Sequence, residues 1–514
     1  MIKFFKSKSK KSLLLYFLGL LLALGLFIYL RLLKLDLIPV FVDEAIYVRW
    51  AQVMKAEPSL RFLPMSDGKQ PLFMWILMPF LSYFPDPLIA GRVLSVISGL
   101  GTFFGISILS LLITQSLTVS VISAFFYSLS PFFVFYNRLS LVDSMLAGIG
   151  IWTLILGYLY VKKPRWDLAM ILGAFLGAGL LTKSPAIFFI AWQPVLAIFF
   201  FKLPRKNQGK KKRYLSLLKL VGGWLVAIFV SLIFYNILRL GTNFHMVGSR
   251  NLDYIFPLSE AITHPFNPLI GNLKSTISWT WFLFTPPVFL ATLFAFNRKD
   301  NKYTLPLVII SLLPLFAQAF VAKVYTPRYI LYAVTPLIIV SALGLNALLR
   351  RSRIQKLISI PIIIFVFCFV SSFRLVTQPE KVEKLPFRMR NGYLEEWTAG
   401  FGQKEIADYL IDLEEQGNTI VVGTEGFFGT LPDGLQIYTQ GHLDITVIGV
   451  GQPILILPES LVNTSKEHLI FLVVNYSRDK LPQSEKEKLD LVMEFPKAIR
   501  ADGTQEKLLL YQFK

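Results

Sequence analysis

Long apolar runs separated by short polar, often basic, segments fill the first 374 residues. Eleven runs stand out, at residues 13–33, 91–113, 117–136, 144–161, 166–182, 184–201, 216–238, 276–296, 303–322, 328–349 and 357–374. A helix rises ~1.5 Å per residue, so about 20 apolar residues cross a ~30 Å hydrocarbon core. The stretch 71–84 (PLFMWILMPFLSYF) is bounded by Pro71 and Pro85 and reaches only ~21 Å. It reads as an interfacial or dipping helix. From about residue 395 the pattern changes. KEIADYLIDLEEQG has apolar positions at helical spacing and ends on a glycine, while NTIVVGT, LDITVIGV and LIFLVVNYS are short β-rich runs bounded by turn residues. The expected fold is a polytopic α-helical membrane protein of about eleven transmembrane helices with a small C-terminal α/β domain. The division falls into residues 1–374, in the membrane, and 375–514, outside it.

Composition supports the membrane assignment. The chain has 514 residues, of which 54% are apolar and 16% charged, and its mean hydropathy is +0.57. The net charge of +20 invites a nucleic-acid reading. Splitting the chain removes it. Residues 375–514 hold 14 Lys/Arg against 21 Asp/Glu, and residues 1–374 hold 38 against 11. The excess therefore sits in the membrane half, where basic loops set topology. No nucleic acid is expected as a partner. The single cysteine, Cys368, lies in an apolar run and excludes an intrachain disulfide. The basic N-terminus could open a signal peptide, but the run 13–33 is too long for one and no small-residue cleavage site follows. It reads as a retained first span.

Charge also tests the count. With eleven spans and a cytoplasmic N-terminus, the basic segments 3–11, 162–165, 202–213, 298–302 and 350–356 all face the cytoplasm. If 71–84 crossed, every later loop would invert and 202–213, with seven basic residues, would face outward. The outer face then receives the loop 34–90, turns at Asp143 and Lys183, the loop 239–275, the turn 323–328 and the C-terminal domain.

Several residues on that face could carry chemistry. Asp43 and Glu44 follow the first span directly. A carboxylate at the lipid–water boundary is partly desolvated, which suits a general base, and adjacent carboxylates can hold a divalent cation. Asp43 also reads as the N-cap of a helix over AIYVRWAQVM. Lys69, in Asp67-Gly68-Lys69-Gln70-Pro71-Leu72, stands where the chain re-enters the interface and can bind a lipid phosphate or simply snorkel. Asp143 heads an otherwise apolar run, with Arg138 its nearest basic neighbour and a structural Arg138–Asp143 pair as the alternative. Arg92, Lys183 and Arg328-Tyr329 place cations at outer span ends, against the positive-inside trend. Together with the acids they fit an anionic phosphate ligand in a mixed-charge cleft. The loop 239–275 carries His245, Arg250, Asn251, Asp253, Tyr254 and His264 without metal-type spacing. The glycine-rich patch 423–434 matches neither a P-loop nor a dinucleotide fingerprint and reads as a turn, with a strand-exit loop that binds a sugar or another part of the protein as the alternative.

Taken in order, Asp43-Glu44, the Lys69-Gln70-Pro71-Leu72 element, Gly91-Arg92, Arg138…Asp143, Lys183 and Arg328-Tyr329 resemble a known set. The chain is similar over residues 1–375 to the GT-C glycosyltransferases of the protein O-mannosyltransferase and lipid A aminoarabinose transferase group. That resemblance implies a GT-C fold and an inverting transfer of sugar from a polyprenyl-phosphate donor to a protein, lipid or glycan acceptor on the outer face. It implies Asp43 as the base or acceptor-orienting carboxylate and Glu44 as its helper or as a metal ligand. Asp143 becomes the second acid of the site. Lys69, with Lys183 and Arg328, would bind the carrier phosphate, and Arg92, Arg138 and Tyr329 would complete the substrate-binding set. Many relatives place His or Lys directly before proline, whereas Gln70 intervenes here. The competing function is a transporter or flippase of lipid-linked sugars, which would put its charges near the bilayer midplane.

Overall fold

The fold is given by a computed structural model that describes residues 7–204, 209–350, 359–382, 384–464 and 468–514. The basic segments 3–11, 202–213 and 350–356 lie partly outside the described residues. The chain divides into two compact units. One comprises Met1–Leu33, Arg61–Phe73 and Ser95–Thr377, and the other Lys34–Leu60, Met74–Leu94 and Gln378–Lys514.

Among the described residues, six helices are long and apolar enough to cross a membrane: Lys10–Leu32, Pro87–Thr114, Val142–Lys162, Lys210–Leu240, Asn301–Val321 and Ser359–Thr377. Two bent pairs raise the number to as many as eight. Leu269–Leu283 meets Pro286–Leu293 at 112°, and Pro327–Val334 meets Leu337–Leu349 at 57°. Both breaks have a proline at the joint, Pro286 and Pro336, where the missing N–H and the ring interrupt the hydrogen-bond ladder. The three other expected spans fall on shorter apolar helices, Leu117–Leu129, Trp166–Thr182 and Ser184–Phe200. The first of these stops at Ser130 because Pro131 begins a new helix, Pro131–Tyr136. The chain is thus a multi-span helical membrane protein. The stretch 71–84 forms a helix over Leu72–Phe80 only, nine residues with Pro79 inside.

Small residues let these helices approach. A Cβ on Gly173 would stand 2.6 Å from the Ala227 carbonyl, and one on Gly177 would stand 2.5 Å from Phe234 Cβ. The two glycines are one turn apart on Trp166–Thr182, so its face packs backbone-close on Lys210–Asn236.

The second unit holds the β-structure. Strands β1 (Val40–Phe41) and β2 (Ala399–Gly400) pair antiparallel. A five-stranded sheet is built from β3 (Ile420–Glu425), β4 (Ile445–Gly451), β5 (Leu469–Asn475), β6 (Leu489–Ile499) and β7 (Gln505–Phe513) in the order β4-β3-β5-β7-β6. The first three are parallel, and β7 and β6 add antiparallel. Alternate residues of β5 face two cores. Phe471 and Val473 pack with Ile406, Ala407 and Leu410 of the helix Gln403–Glu415, while Leu472 and Val474 pack with Leu481 and Leu489. The sequence pattern showed β3, β4 and β5 and missed β6 and β7. Pro496 and the register shifts on either side of it break the alternation in β6.

Candidate functional site

In the first unit, residues 67–70, 183–188, 250–255 and 317–329 contribute to the walls of a cavity of about 450 Å³. Its lining includes the cations Lys69, Lys183 and Arg250 and the Tyr254 hydroxyl, together with apolar residues such as Ile187, Phe188, Val321 and Val324. The short 3-10 turn Leu63–Asp67 ends at Gly68, whose φ of 69° and close approach to Arg250 (2.6 Å from a would-be Cβ) exclude a side chain there. That turn delivers Lys69 to the cavity. Its Nζ donates to the Tyr254 hydroxyl at 2.8 Å, lies 4.4 Å from the centre of that ring, and is 3.9 Å from Asp67. Asp67 Oδ1 also accepts from Arg250 Nε and Nη2 at 3.2 and 2.6 Å, and Arg250 Nη1 pairs with Asp253 at 2.8 Å. The hydrogen bond to Asp67 pushes the Arg250 pKa upward, so the guanidinium keeps its charge.

Lys183 enters from the end of Trp166–Thr182. Its Nζ donates to Asp143 Oδ1 at 2.7 Å and lies 4.4 Å from the centre of the Tyr329 ring, over which Arg328 also sits at 5.2 Å. Asp143 is only 2% exposed, and its Oδ2 has no hydrogen-bond partner among the described residues. The Asp143 partner seen here is thus Lys183. Arg138 has a different task. Its Nη1 donates to the carbonyls of Leu30, Arg31 and Leu33 at 3.0, 3.1 and 2.7 Å. These are carbonyls at the C-terminal end of Lys10–Leu32 that the helix itself leaves without partners, so Arg138 caps the first span. Gln70, the departure from the family pattern, donates to Ser184 Oγ at 2.7 Å and ties the Lys69 segment to the Lys183 turn.

In the second unit, Asp43 and Glu44 occupy the first turn of the helix Val42–Ala56. Phe41, not Asp43, is the N-cap, and Glu44 Oε2 accepts from the Phe41 N–H at 3.1 Å. Glu44 and Arg92 are both fully buried and bind each other twice, Nε to Oε1 and Nη2 to Oε2, each at 2.9 Å. Arg92 further donates to the carbonyls of Leu35, Ile38 and Pro39. This pair is a bidentate clamp that fixes the chain around Asp43. The clamp occupies both Glu44 oxygens, so Asp43-Glu44 does not fit a metal cradle. Among the described residues no group of three or more His, Cys, Asp or Glu is placed to hold a metal ion. Asp43 itself is half-buried at the positive end of the helix dipole. Pairing of β1 with β2 and the bond from Val42 N–H to the Thr398 carbonyl (3.1 Å) anchor its backbone.

The structure thus brings Lys69, Lys183 and Tyr329 together around one cavity, with Asp143 and Arg328 behind them. Asp43, Glu44 and Arg92 lie in the other unit. Asp67, Arg250 and Tyr254 line the same cavity, although the sequence assigns them no role. His245 and His264, in the same loop as Arg250 and Tyr254, are not among the residues lining the cavity.

Residues 68–235 match the sequence model of the dolichyl-phosphate-mannose-protein mannosyltransferase family. A search of curated proteins returns no sequence match. Among solved structures, ArnT from Cupriavidus metallidurans bound to undecaprenyl phosphate superposes with a TM-score of 0.56 at 14% identity, covering 98% of both chains. The apo form of that protein gives 0.55 at 14%, covering 96% of this chain and 97% of that one. The oligosaccharyltransferase AglB from Archaeoglobus fulgidus, in complex with an inhibitory peptide and a dolichol-phosphate, gives 0.51 at 11%, covering 97% and 74%. The chain therefore has the fold of the GT-C glycosyltransferases and, over residues 68–235, the sequence signature of the dolichyl-phosphate-mannose-protein mannosyltransferases.

Proposed function

We propose that the chain is an integral membrane glycosyltransferase that moves a sugar from a polyprenyl-phosphate donor to a protein, lipid or glycan acceptor, with inversion. The observation that carries this reading is the cavity whose lining combines Lys69, Lys183 and Arg250 with apolar side chains such as Ile187, Phe188 and Val321. Such a cavity suits a phosphate on an isoprenoid tail, because cations stabilise the phosphate and the apolar side chains take the hydrocarbon. The solved relative bound to undecaprenyl phosphate has the same fold.

In the proposed reaction the acceptor oxygen or nitrogen forms a bond to the anomeric carbon as the bond from that carbon to the phosphate oxygen breaks. The departing phosphate gains charge, and Lys69, Lys183 and Arg250 stabilise it. Asp43 takes the acceptor proton. Arg92 and Glu44 hold the backbone that presents Asp43, and Asp143 orients Lys183. No step is routed through a metal ion. The singled-out charges sit at helix ends rather than in mid-helix, which favours a transferase over a flippase. We further assign eleven crossings, a cytoplasmic N-terminus and an extracytoplasmic domain over 375–514, on the basic-loop pattern.

The test is transfer by the purified full chain in nanodiscs supplied with labelled polyprenyl-phosphate sugar. Lys69→Ala and Asp43→Asn should each abolish product while the protein remains folded. Undiminished product from either variant removes that residue from its role.

A further inference from the structure

The loop leaving β3 reads GFFGTLPDG over residues 426–434. It lies at the carboxyl end of the central strand of the parallel trio. In the order β4-β3-β5, the chain passes from β3 to one neighbour and then back across to the other. Open α/β sheets bind ligands at the carboxyl edge where the order reverses in this way.

The loop is built to hold a side chain out. Gly426 and Gly429 adopt φ of +74° and +116°, values that disfavour other residues. Between them Phe427 is 74% exposed, whereas Phe428 stacks on Trp50 with centroids 5.7 Å apart. The Asp433 carboxylate accepts from the Gly429 N–H at 2.6 Å and closes the loop. Thr430 is 2% exposed, yet its hydroxyl has no hydrogen-bond partner among the described residues. A buried hydroxyl without a partner is costly and points to a missing polar ligand.

Position supplies the function. Trp50 is on the helix that begins with Val42, and a Cβ on Gly429 would lie 3.3 Å from Val42 Cγ2. Val42 directly precedes Asp43. The loop is therefore packed against the residue next to the proposed base, and all of these residues belong to the second unit. Residues 426–432 carry no charged side chain. The one acidic side chain of the loop, Asp433, is buried and bonded to the Gly429 N–H, so the occupant that fits the exposed phenyl ring and the unused hydroxyl is a neutral sugar ring. Its C–H face covers the aromatic and its hydroxyls supply hydrogen bonds.

We infer that loop 426–434 is the acceptor platform, that Phe427 stacks on a neutral sugar of a glycan acceptor, and that the loop thereby positions an acceptor hydroxyl for Asp43. This inference rests on the reading of Asp43 as the base.

The experiment is saturation-transfer NMR on the full chain in nanodiscs, with methyl α-mannopyranoside and methyl β-glucopyranoside as neutral probes and methyl glucuronide as the charged control. Undecaprenyl phosphate binding is measured in parallel. Transfer to at least one neutral probe should fall fivefold or more in Phe427→Ala and persist in Phe427→Trp and Lys69→Ala. Phe427 is exposed, so its removal should leave the melting temperature unchanged. No transfer from the wild type, equal transfer from Phe427→Ala, or equal transfer to the charged control overturns the platform. If the platform fails while Lys69-dependent undecaprenyl phosphate binding holds, the donor reading stands alone. If neutral sugars bind through Phe427 while undecaprenyl phosphate does not bind, the platform stands and the donor reading falls.

Discussion

Lys183 places its ammonium 2.7 Å from Asp143 Oδ1, joining the C-terminal end of one apolar helix to the start of another 40 residues earlier. The pair is a directed one. Asp143 is buried and takes one bond from Lys183, while Lys183 also faces Tyr329 and the cavity. Removing the lysine leaves a buried carboxylate without that partner, which costs on the order of 3 kcal/mol. Lys183→Met and Asp143→Asn should therefore destabilise by less together than the sum of the two single changes. Thermal unfolding of the four proteins in nanodiscs reads this coupling, and strict additivity would contradict the pairing.

Glu44 and Asp43 are neighbours with opposite predicted phenotypes. Glu44→Gln strips the counter-charge from a fully buried Arg92, and Arg92→Lys cannot reproduce the bidentate bond together with three carbonyl contacts. Each should lower stability by about 3 kcal/mol or more and expose the 34–60 segment to protease. Asp43→Asn should leave stability within about 0.5 kcal/mol and remove transfer. Limited proteolysis combined with activity separates the two, and a stable Glu44→Gln protein would refute the clamp.

Much of this was legible in the sequence. The apolar runs and the three parallel strands follow from periodicity, and Lys69, Lys183 and Arg328 stand out as charges at the ends of apolar runs. What was hidden has a physical cause in each case. Arg92 and Arg138 are cations at span ends, like Lys183. Only three dimensions reveal that they face backbone carbonyls rather than a cavity. Arg250 and Tyr254 lie in a loop of short helices whose polar positions carry no period, so nothing local marks them as cavity lining. The capping position went to Phe41 because its N–H bonds Glu44, a choice invisible in a sequence that offers Asp43.

Lys69 and Arg250 make a prediction about affinity. Charge-assisted bonds to phosphate contribute about 1.5–3 kcal/mol each. Lys69→Ala should weaken undecaprenyl phosphate binding about tenfold to a hundredfold. Arg250→Ala should weaken it less, because Arg250 is already shared with Asp67 and Asp253. Native mass spectrometry of the full chain with added undecaprenyl phosphate measures both. Unchanged binding in Lys69→Ala would remove the phosphate from this cavity.

Asp433 gives the acceptor loop a pH dependence. Burial pushes its carboxyl from 3.8 up to about 6. Between those values the folded chain holds a proton that the unfolded chain has released. The stabilisation is therefore fully present below about pH 3.8 and is lost as pH rises through about 6. The shift corresponds to roughly 3 kcal/mol. Asp433→Asn should lose that component of the slope, so that the difference in unfolding free energy between pH 4 and pH 7 changes by about this amount relative to the wild type. An identical slope in both proteins contradicts the buried, raised carboxyl.

The central claim is transfer from a polyprenyl-phosphate donor, and its most direct test is mass spectrometry of envelope glycans, glycolipids and glycoproteins. Cells carrying the wild-type chain are compared with cells carrying Asp43→Asn at equal membrane abundance. The account predicts one sugar modification that disappears in the variant while the polyprenyl-phosphate sugar donor accumulates. An unchanged glycan inventory with no donor accumulation would contradict it.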